Sequence, residues 1–215
     1  MMFDFNAIRE LIAAAKRLDE KGFVGAKAGN ISIKSGDYIY ITPTGTSKAI
    51  LTEEMIAIID KDGNQVGGTL KPTSELKMHM ACYNKIDREV GGVVHCHSPY
   101  LTAHALTYVP ITCNAYPEMI GNFDVIEVAP YGEPGSDAIF DNALPYFERN
   151  NIVLLGNHGA LSVGKTLRDA MDTMESAEDI AKVISITNSI GKPADLPEEV
   201  IAATKVQHDR SFGLI

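Results

Sequence analysis

The first regular pattern in the chain is helical. Between Asn6 and Glu20, apolar residues recur at intervals of three and four positions, at Ile8, Leu11, Ile12, Ala15 and Leu18. This period predicts an amphipathic helix with one buried face. Asp4 or Asn6 can cap its start, and Gly22 is a stop signal. Similar signals predict further helices over 74–85, 99–107, 136–149 with a break at Pro145, 166–191, and beyond Pro197.

Short runs rich in Ile and Val lie between these helices and predict strands. The runs 31–34 and 38–41 flank Ser35-Gly36-Asp37 and read as a hairpin. Further strands are expected over 55–60, 90–94, 125–128, 152–155 and 160–163. The last two are joined by the tight turn Asn157-His158-Gly159. Adjacent hairpins with interspersed helices predict an α/β sandwich whose sheet is at least partly antiparallel.

Composition narrows the class of protein. The chain has 215 residues with 45% hydrophobic content, enough for a substantial core, and no linker-like stretch divides it, so we expect one domain over 1–215. The N-terminus lacks the features of a signal peptide, and no apolar run approaches the length of a membrane span. A formal charge of −9 argues against a nucleic-acid-binding surface.

The cysteines bear on the compartment. Cys82, Cys96 and Cys113 are odd in number and show no CxxC spacing. A disulfide framework is therefore not expected, and a reducing, cytoplasmic location fits.

The strongest chemical signal is His95-Cys96-His97, directly after the buried run 90–94. Alternate side chains of a strand share a face, so the two imidazoles point the same way while Cys96 faces the other side. Neutral imidazole is the commonest metal-binding side chain. His158 follows another buried run and is a third candidate. Three imidazoles with an open fourth position are the ligand set of a catalytic zinc.

Three loops carry polar groups suited to an anion. These are Gly29-Asn30-Ile31-Ser32, Thr42-Pro43-Thr44-Gly45-Thr46-Ser47 and Pro72-Thr73-Ser74-Glu75. The third lies at a predicted helix N-terminus, where unpaired N–H groups and the peptide dipole favour negative charge. Each loop taken alone is also an ordinary cap or turn. Glu75 is either a surface acid in the first helical turn or, if that helix end faces the histidines, a metal ligand or general base.

Taken in order, five motifs resemble one enzyme family. Gly29-Asn30-x-Ser32, Thr42-Pro43-Thr44-Gly45, Pro72-Thr73-Ser74-Glu75, His95-x-His97-Ser98 and Asn157-His158-Gly159 are similar to those of the zinc-dependent class II aldolases, typified by L-fuculose-1-phosphate aldolase. The likeness spans essentially the whole chain. It implies a three-layer sandwich, with a largely antiparallel or mixed central sheet and helices on both faces. It also implies a homotetramer with active sites between neighbouring subunits.

The resemblance also implies roles for individual residues. His95, His97 and His158 would hold one Zn2+ per subunit, or another divalent metal, and Glu75 would be the catalytic carboxylate and a further ligand. The positions that match the family's phosphate site are Asn30, Thr44, Gly45, Thr73 and Ser74. Tyr116 lies where fuculose aldolases carry a catalytic tyrosine, although a tyrosine beside a proline is also a common loop anchor. The implied reaction is reversible cleavage of a ketose phosphate to dihydroxyacetone phosphate and a short aldehyde.

Other activities of the superfamily stay open at this point. L-Ribulose-5-phosphate 4-epimerase resembles this plan but carries aspartate in place of the glutamate, so Glu75 favours an aldolase. A dehydratase of methylthioribulose phosphate shares the three histidines and the glutamate. Adducin heads resemble the fold without the metal ligands, which makes a non-catalytic module less consistent with this chain. His208 is expected to be a solvated residue on the last helix.

Overall fold

A computed structural model describes residues 3–215, and in these residues eight strands form one sheet. The strands are β1 (Asn30–Ser35), β2 (Tyr38–Ile41), β3 (Ala57–Ile59), β4 (Gln65–Gly67), β5 (Gly92–Cys96), β6 (Val128–Ala129), β7 (Ile152–Leu155) and β8 (Gly159–Gly164). Their order across the sheet is β4-β3-β2-β1-β5-β8-β7-β6. Neighbouring strands are antiparallel apart from the β6–β7 pair. The expected largely antiparallel sheet is therefore confirmed.

Helices cover both faces of the sheet. They are α1 (Phe5–Glu20), α2 (Leu76–Lys85), α3 (Pro99–Thr107), α4 (Pro117–Asn122), α5 (Ala138–Ala143), α6 (Leu167–Ile190) and α7 (Glu198–Ser211). One core lies between the sheet and α1, α3 and α6, and the other lies between the sheet and α2 and α5. This is the predicted three-layer sandwich, and strands β5, β7 and β8 are buried along their whole length between the two helical layers.

Local sequence signals explain where the main helices begin. The Asp4 carboxylate accepts hydrogen bonds from the backbone N–H groups of Asn6 at 2.9 Å and Ala7 at 3.2 Å, so it caps α1 as predicted. Thr166 and Asp169 form a capping box at the start of α6. These caps satisfy N–H groups that the first turn of a helix leaves without partners.

Several boundaries differ from the prediction. The expected strand 55–60 is shortened to β3, because Glu53–Met55 forms a 3-10 turn. The expected strand 125–128 is replaced by a bridge between Ile126 and Ile111 and the two-residue β6. The helix over 136–149 breaks at the predicted place, since α5 gives way to a 3-10 segment that contains Pro145.

Two further properties follow from the described residues. Cys82 and Cys96 are buried, Cys113 is half-buried, and all three are free thiols. None of the helices within 3–215 combines the length and the apolar character needed to cross a membrane.

Candidate active site

The end of β5 brings two imidazoles together. His95 lies in the strand and His97 directly follows it, and their Nε2 atoms are 3.2 Å apart. Cys96 packs into the opposite core, beneath α1 and α6. The alternation of a β-strand therefore places the two rings on one face, as the sequence predicted.

His158 joins them from the turn between β7 and β8. Asn157 adopts a left-handed conformation with φ +57°, which reverses the chain just before His158. Gly159 allows the turn to approach β5, because a Cβ there would lie 2.6 Å from the Cys96 carbonyl oxygen and 2.7 Å from His97 Cδ2. The His158 ring centroid lies 4.7 Å from that of His95 and 5.0 Å from that of His97.

Glu75 approaches the same point from α2. It is the N-cap residue of that helix, one position before the first turn, and its side chain makes no capping hydrogen bond. Its carboxylate instead turns toward the histidines, with Oε2 3.4 Å from His95 Nε2 and Oε1 3.6 Å from His158 Nε2. The helix end therefore faces the imidazoles, which the sequence alone left undecided.

Strand register connects Glu75 to a second, buried network. Asn30 in β1 lies opposite His95 in β5, and its Nδ2 donates to Glu75 Oε2 at 2.7 Å. The other end of the Asn30 amide, Oδ1, meets His79 Nε2 at 2.5 Å. An amide oxygen only accepts, so His79 carries its proton on Nε2 and accepts at Nδ1 from the Ser32 hydroxyl, 2.7 Å away.

Sequence reasoning missed His79, although one signal was available. It lies four residues after Glu75 on α2, so the two side chains leave the helix on the same side. Burial lowers the pKa of His79 to about 3, so its imidazole is neutral. A neutral imidazole with two fixed partners holds the Asn30 amide in place beside the carboxylate.

The electrostatics of the histidine cluster favour a bound cation. Burial lowers the pKa of all three rings, most strongly at fully buried His95, and the neighbouring imidazoles add to the effect there. His95 Nδ1 donates to the Ala160 carbonyl oxygen at 2.9 Å, so its lone pair is on Nε2 and faces the cluster. Glu75 Oε1 is buried and has no hydrogen-bond partner within residues 3–215.

These observations test whether a metal ion fits. Three nitrogen atoms, one each from His95, His97 and His158, lie within 4.8 Å of one another. Neutral imidazoles and a carboxylate with one oxygen unpaired among residues 3–215 are the donor set of a first-row divalent ion such as Zn2+. Without a cation, lone pairs and a negative charge face one another in a buried space, at an energetic cost. The residues therefore fit a metal ion.

Glu178 in α6 fixes the chain just beyond His97. Its carboxylate accepts from the Ser98 hydroxyl at 2.7 Å and from the backbone N–H groups of Tyr100 at 3.0 Å and Leu101 at 2.9 Å. Glu178 is 4% exposed. A buried carboxylate on the first N–H groups of α3 is a strong anchor, because the charge and the helix dipole favour each other.

The polar loops come together next to the histidines. Thr44 N donates to the Lys71 carbonyl oxygen and Thr73 N donates to the Thr42 carbonyl oxygen, so two loops pair like short strands. This pairing leaves the backbone N–H groups of Gly45 and Ser74 without partners among residues 3–215. Free N–H groups and hydroxyls at a turn are suited to bind an oxyanion.

A cavity of about 240 Å³ joins these groups. Its walls include eight of the ten predicted site residues, Asn30, Thr44, Gly45, Thr73, Ser74, Glu75, His97 and His158. His95 lies behind them and is fully buried. Two residues that the sequence analysis did not single out, Lys27 and Lys48, also line the cavity.

Tyr116 is the predicted site residue that the fold does not bring to this cavity. It precedes α4 and is half-buried against the core formed with α1, α3 and α6. His208 also differs from expectation: it is 3% exposed and its ring centroid lies 5.0 Å from that of Phe212, so the prediction of a solvated residue is wrong. His208 lies on the side of α7 that faces the rest of the fold, where it lines a small cavity with Phe123 and Ile152.

A larger cavity lies elsewhere. It is a groove of about 670 Å³ whose walls include Arg88, Lys165 and Phe212, and none of the predicted site residues lines it. The Arg88 guanidinium is occupied by the carbonyl oxygens of Phe147 and Asn150 and by the side chain of Asn151. The groove therefore lacks the convergent catalytic groups of the smaller cavity.

The chain is similar in sequence and in fold to several known proteins. The sequence model of the family described as Class II Aldolase and Adducin N-terminal domain matches residues 9–185. An L-fuculose phosphate aldolase of Methanococcus maripaludis is 35% identical over 85% of this chain and 98% of its own length. A 3-oxo-tetronate 4-phosphate decarboxylase of Haemophilus influenzae is 33% identical over 85% of this chain and 88% of its own. A solved L-fuculose 1-phosphate aldolase superposes with a TM-score of 0.86 at 28% identity, covering 96% of this chain and 97% of that one.

Proposed function

The chain belongs to the family of class II aldolases and adducin N-terminal domains and is an enzyme of the aldolase type, and on that basis we propose that it cleaves a ketose phosphate. The substrate is of the L-fuculose-1-phosphate type, and the products are dihydroxyacetone phosphate and a short aldehyde. The reaction is reversible and depends on one Zn2+ per subunit, although another divalent metal is compatible with the ligands.

One observation supports this proposal above all. The three imidazoles and the Glu75 carboxylate converge at the wall of a cavity that also holds free N–H groups and hydroxyls. The first set suits a metal and the second suits a phosphate group. A sugar phosphate is the kind of molecule that places ketose oxygens and a phosphate in one small cavity.

The proposed metal ligands are His95, His97 and His158, with Glu75 as a further ligand in the substrate-free site. A bound divalent ion supplies Lewis acidity, which stabilises negative charge as it develops on the substrate oxygens. The neutral state of the imidazoles, enforced by burial, leaves their lone pairs available.

Glu75 is the proposed acid-base residue. Its Oε2 is held by the Asn30 amide, whereas its Oε1 has no hydrogen-bond partner in the described part of the chain and can take a proton. In the synthetic direction, Oε1 removes a proton from the hydroxymethyl carbon of dihydroxyacetone phosphate. In the cleavage direction it returns that proton to the carbon.

The phosphate group is assigned to the paired loops. Gly45 and Ser74 offer backbone N–H groups, and Thr44, Thr73 and Ser74 offer hydroxyls around the same cavity. Asn30 also lines the cavity, but its side chain is already bonded to Glu75 and His79. We therefore assign Asn30 to the carboxylate first and to the phosphate only through its remaining N–H.

The aldehyde oxygen needs its own proton donor, and we assign this role to Tyr116. Because Tyr116 does not line the cavity of its own chain, we propose that it serves the site of a neighbouring subunit in a homotetramer. The single domain over 1–215 and the cytoplasmic location remain part of the same proposal. Three free thiols support a reducing compartment.

A decarboxylase is the second candidate. It is favoured by the similarity to the 3-oxo-tetronate 4-phosphate decarboxylase, at 33% identity. Loss of CO2 from a 3-oxo acid phosphate leaves a carbanion beside a carbonyl, as aldol cleavage does, so the same metal site can serve both. The 4-epimerase and the methylthioribulose-phosphate dehydratase are less favoured: the epimerase family carries aspartate at the position of Glu75, and no contact of this site is specific to dehydration.

A substrate panel tests the proposal. Purified metal-loaded protein is incubated with 1-phospho and 5-phospho ketoses and with a 3-oxo-tetronate 4-phosphate, and release of dihydroxyacetone phosphate, glycolaldehyde phosphate and CO2 is measured. We expect dihydroxyacetone phosphate from a 1-phospho ketose. Release of CO2 with an equal amount of dihydroxyacetone phosphate from the 3-oxo-tetronate 4-phosphate, without cleavage of any ketose phosphate, would identify the decarboxylase. Protein purified without chelator but lacking a stoichiometric divalent metal would indicate a non-catalytic scaffold.

Replacement of Glu75 tests the mechanism. Glu75→Gln keeps the size of the side chain but cannot accept the proton, so we expect metal content to be retained and turnover to fall at least ~100-fold. Glu148→Gln, at an exposed position outside this cavity, is the matched control and should retain normal turnover. Near-normal turnover in Glu75→Gln would remove Glu75 from the role.

A further inference from the structure

Lys48 is a buried cation without an acidic partner. It is 1% exposed, and its Nζ donates to the carbonyl oxygens of Lys27 at 3.1 Å and Thr46 at 3.4 Å. Within residues 3–215, no carboxylate lies within 4.0 Å of this nitrogen. An ammonium group has three N–H donors, so two carbonyl oxygens leave one donor without a partner among these residues, and neither oxygen carries a full negative charge.

This arrangement is costly unless an anion completes it. Buried charges are normally paired, because the interior of a protein does not solvate them as water does. Burial accordingly lowers the pKa of Lys48 to about 8, with Asp19 only partly opposing the shift. The amino group would still be mainly protonated at neutral pH.

The position of Lys48 indicates which anion it would bind. It lines the cavity that contains Thr44, Gly45, Thr73 and Ser74, whose hydroxyls and N–H groups are all uncharged. The charged residues in the cavity wall are Lys27, Lys48 and Glu75, and Glu75 faces the histidines. In a chain of net charge −9, the wall of this cavity thus carries two lysines against one carboxylate.

We propose that Lys48 binds the phosphate group of the substrate and supplies the positive charge that the neutral phosphate loops lack. The inference rests on the proposed function, because it takes a phosphorylated ketose as the ligand. A phosphate dianion would accept the third N–H of Lys48 and neutralise its charge. Lys48 then favours phosphorylated over unphosphorylated ketoses, and it acts on binding more than on the chemical step.

A purely structural role has to be separated from this one. The two carbonyl bonds join the segment around Lys27 to the loop that contains Thr46, so Lys48 could serve only as a brace. Lys48→Met removes the charge and keeps most of the apolar stem, whereas Lys48→Arg keeps the charge. Lys61→Met, at an exposed position outside the cavity, is the matched control.

Two measurements test the role on the metal-loaded protein. The first is the dissociation constant of inorganic phosphate by calorimetry, which needs no catalysis. We expect Lys48→Met to weaken phosphate binding about 10-fold or more, as for loss of one charged hydrogen bond, and Lys48→Arg to weaken it less. The second is the ratio of kcat/KM for a ketose phosphate to that for the same unphosphorylated ketose, which should fall in Lys48→Met mainly through KM.

The proposal is overturned if Lys48→Met folds and binds phosphate as tightly as the wild type and Lys61→Met do. Lys48 would then have only the structural role. If Lys48→Met does not fold, the decisive observation is a crystal of the wild-type protein grown with phosphate. A phosphate oxygen within about 3.2 Å of Lys48 Nζ supports the proposal, and a phosphate bound in the cavity without that contact refutes it. Wild-type protein that binds phosphate through Lys48 but cleaves no ketose phosphate would refute the proposed reaction and not the role of Lys48.

Discussion

Replacing Glu178 with glutamine tests how the metal site is anchored to the core. The Glu178 carboxylate accepts three hydrogen bonds, from the Ser98 hydroxyl and the N–H groups of Tyr100 and Leu101. An amide of the same shape has only one accepting oxygen. That oxygen is expected to take the position of Oε2, which serves Ser98 and Leu101, so that the amide NH2 faces the N–H of Tyr100.

Two effects lower the stability of Glu178→Gln. Leaving the part-buried N–H of Tyr100 without an acceptor costs about 1–3 kcal/mol. Losing a negative charge at the N-terminus of α3 costs about 0.3–1 kcal/mol more. We therefore expect the free energy of unfolding to fall by about 1–4 kcal/mol. For a chain of this length, the melting temperature should fall by roughly 3–15 °C.

The assay is urea unfolding followed by circular dichroism, on protein with the same metal content throughout. Glu10→Gln, on the exposed side of α1, is the control and should stay within about 0.5 kcal/mol of wild type. Because α3 begins two residues after His97, Glu178→Gln should also weaken metal binding. A stability change no larger than that of the control would refute the anchoring role.

Two further predictions concern His79 and Tyr116. Burial lowers the pKa of His79 from 6.5 to about 3. Between these two pH values the unfolded chain binds a proton on His79 and the folded protein does not. The contribution of His79 to stability is therefore complete above pH 6.5 and is lost as the pH falls toward 3. His79→Gln should therefore reduce the pH dependence of unfolding free energy between pH 6 and 4 by about 1.4 kcal/mol per pH unit, and an unchanged slope in urea titrations would contradict this. Tyr116→Phe should slow aldol cleavage by about 100-fold yet still exchange the carbon-bound proton of dihydroxyacetone phosphate with deuterated water. Loss of that exchange by NMR, or full cleavage activity, would argue against Tyr116 as the donor to the aldehyde oxygen.

Much of the site could be predicted because its signals are local. The period of two in a strand places His95 and His97 on one face, whatever the rest of the fold does. The caps at Asp4 and Thr166 also depend only on neighbouring residues. The order of the motifs along the chain, taken with the family resemblance, was enough to assign Glu75 and His158 to the same site.

The remaining features depend on contacts between distant segments. Lys48 follows a turn in the sequence and looks like an ordinary surface lysine, and only packing between segments buries it. His79 owes its neutral state to burial, and Asn30, which fixes the proton on its Nε2, lies 49 positions earlier in the chain. Ile126 belongs to an apolar run typical of a strand, but its partner is Ile111, so the run pairs as an isolated bridge. Sequence patterns do not encode these partners directly.

The pairing of β5 with β8 has a consequence for how the protein is made. His95 and His97 leave the ribosome together, whereas His158 follows more than sixty positions later. It reaches them only when β8 pairs with β5, which sets Ala160 opposite Cys96. A nascent polypeptide that stops short of β8 presents two imidazoles and holds an ion weakly. Under the proposed function, tight capture of a metal ion is therefore a late event in biogenesis, and truncated products should not compete with finished molecules for it.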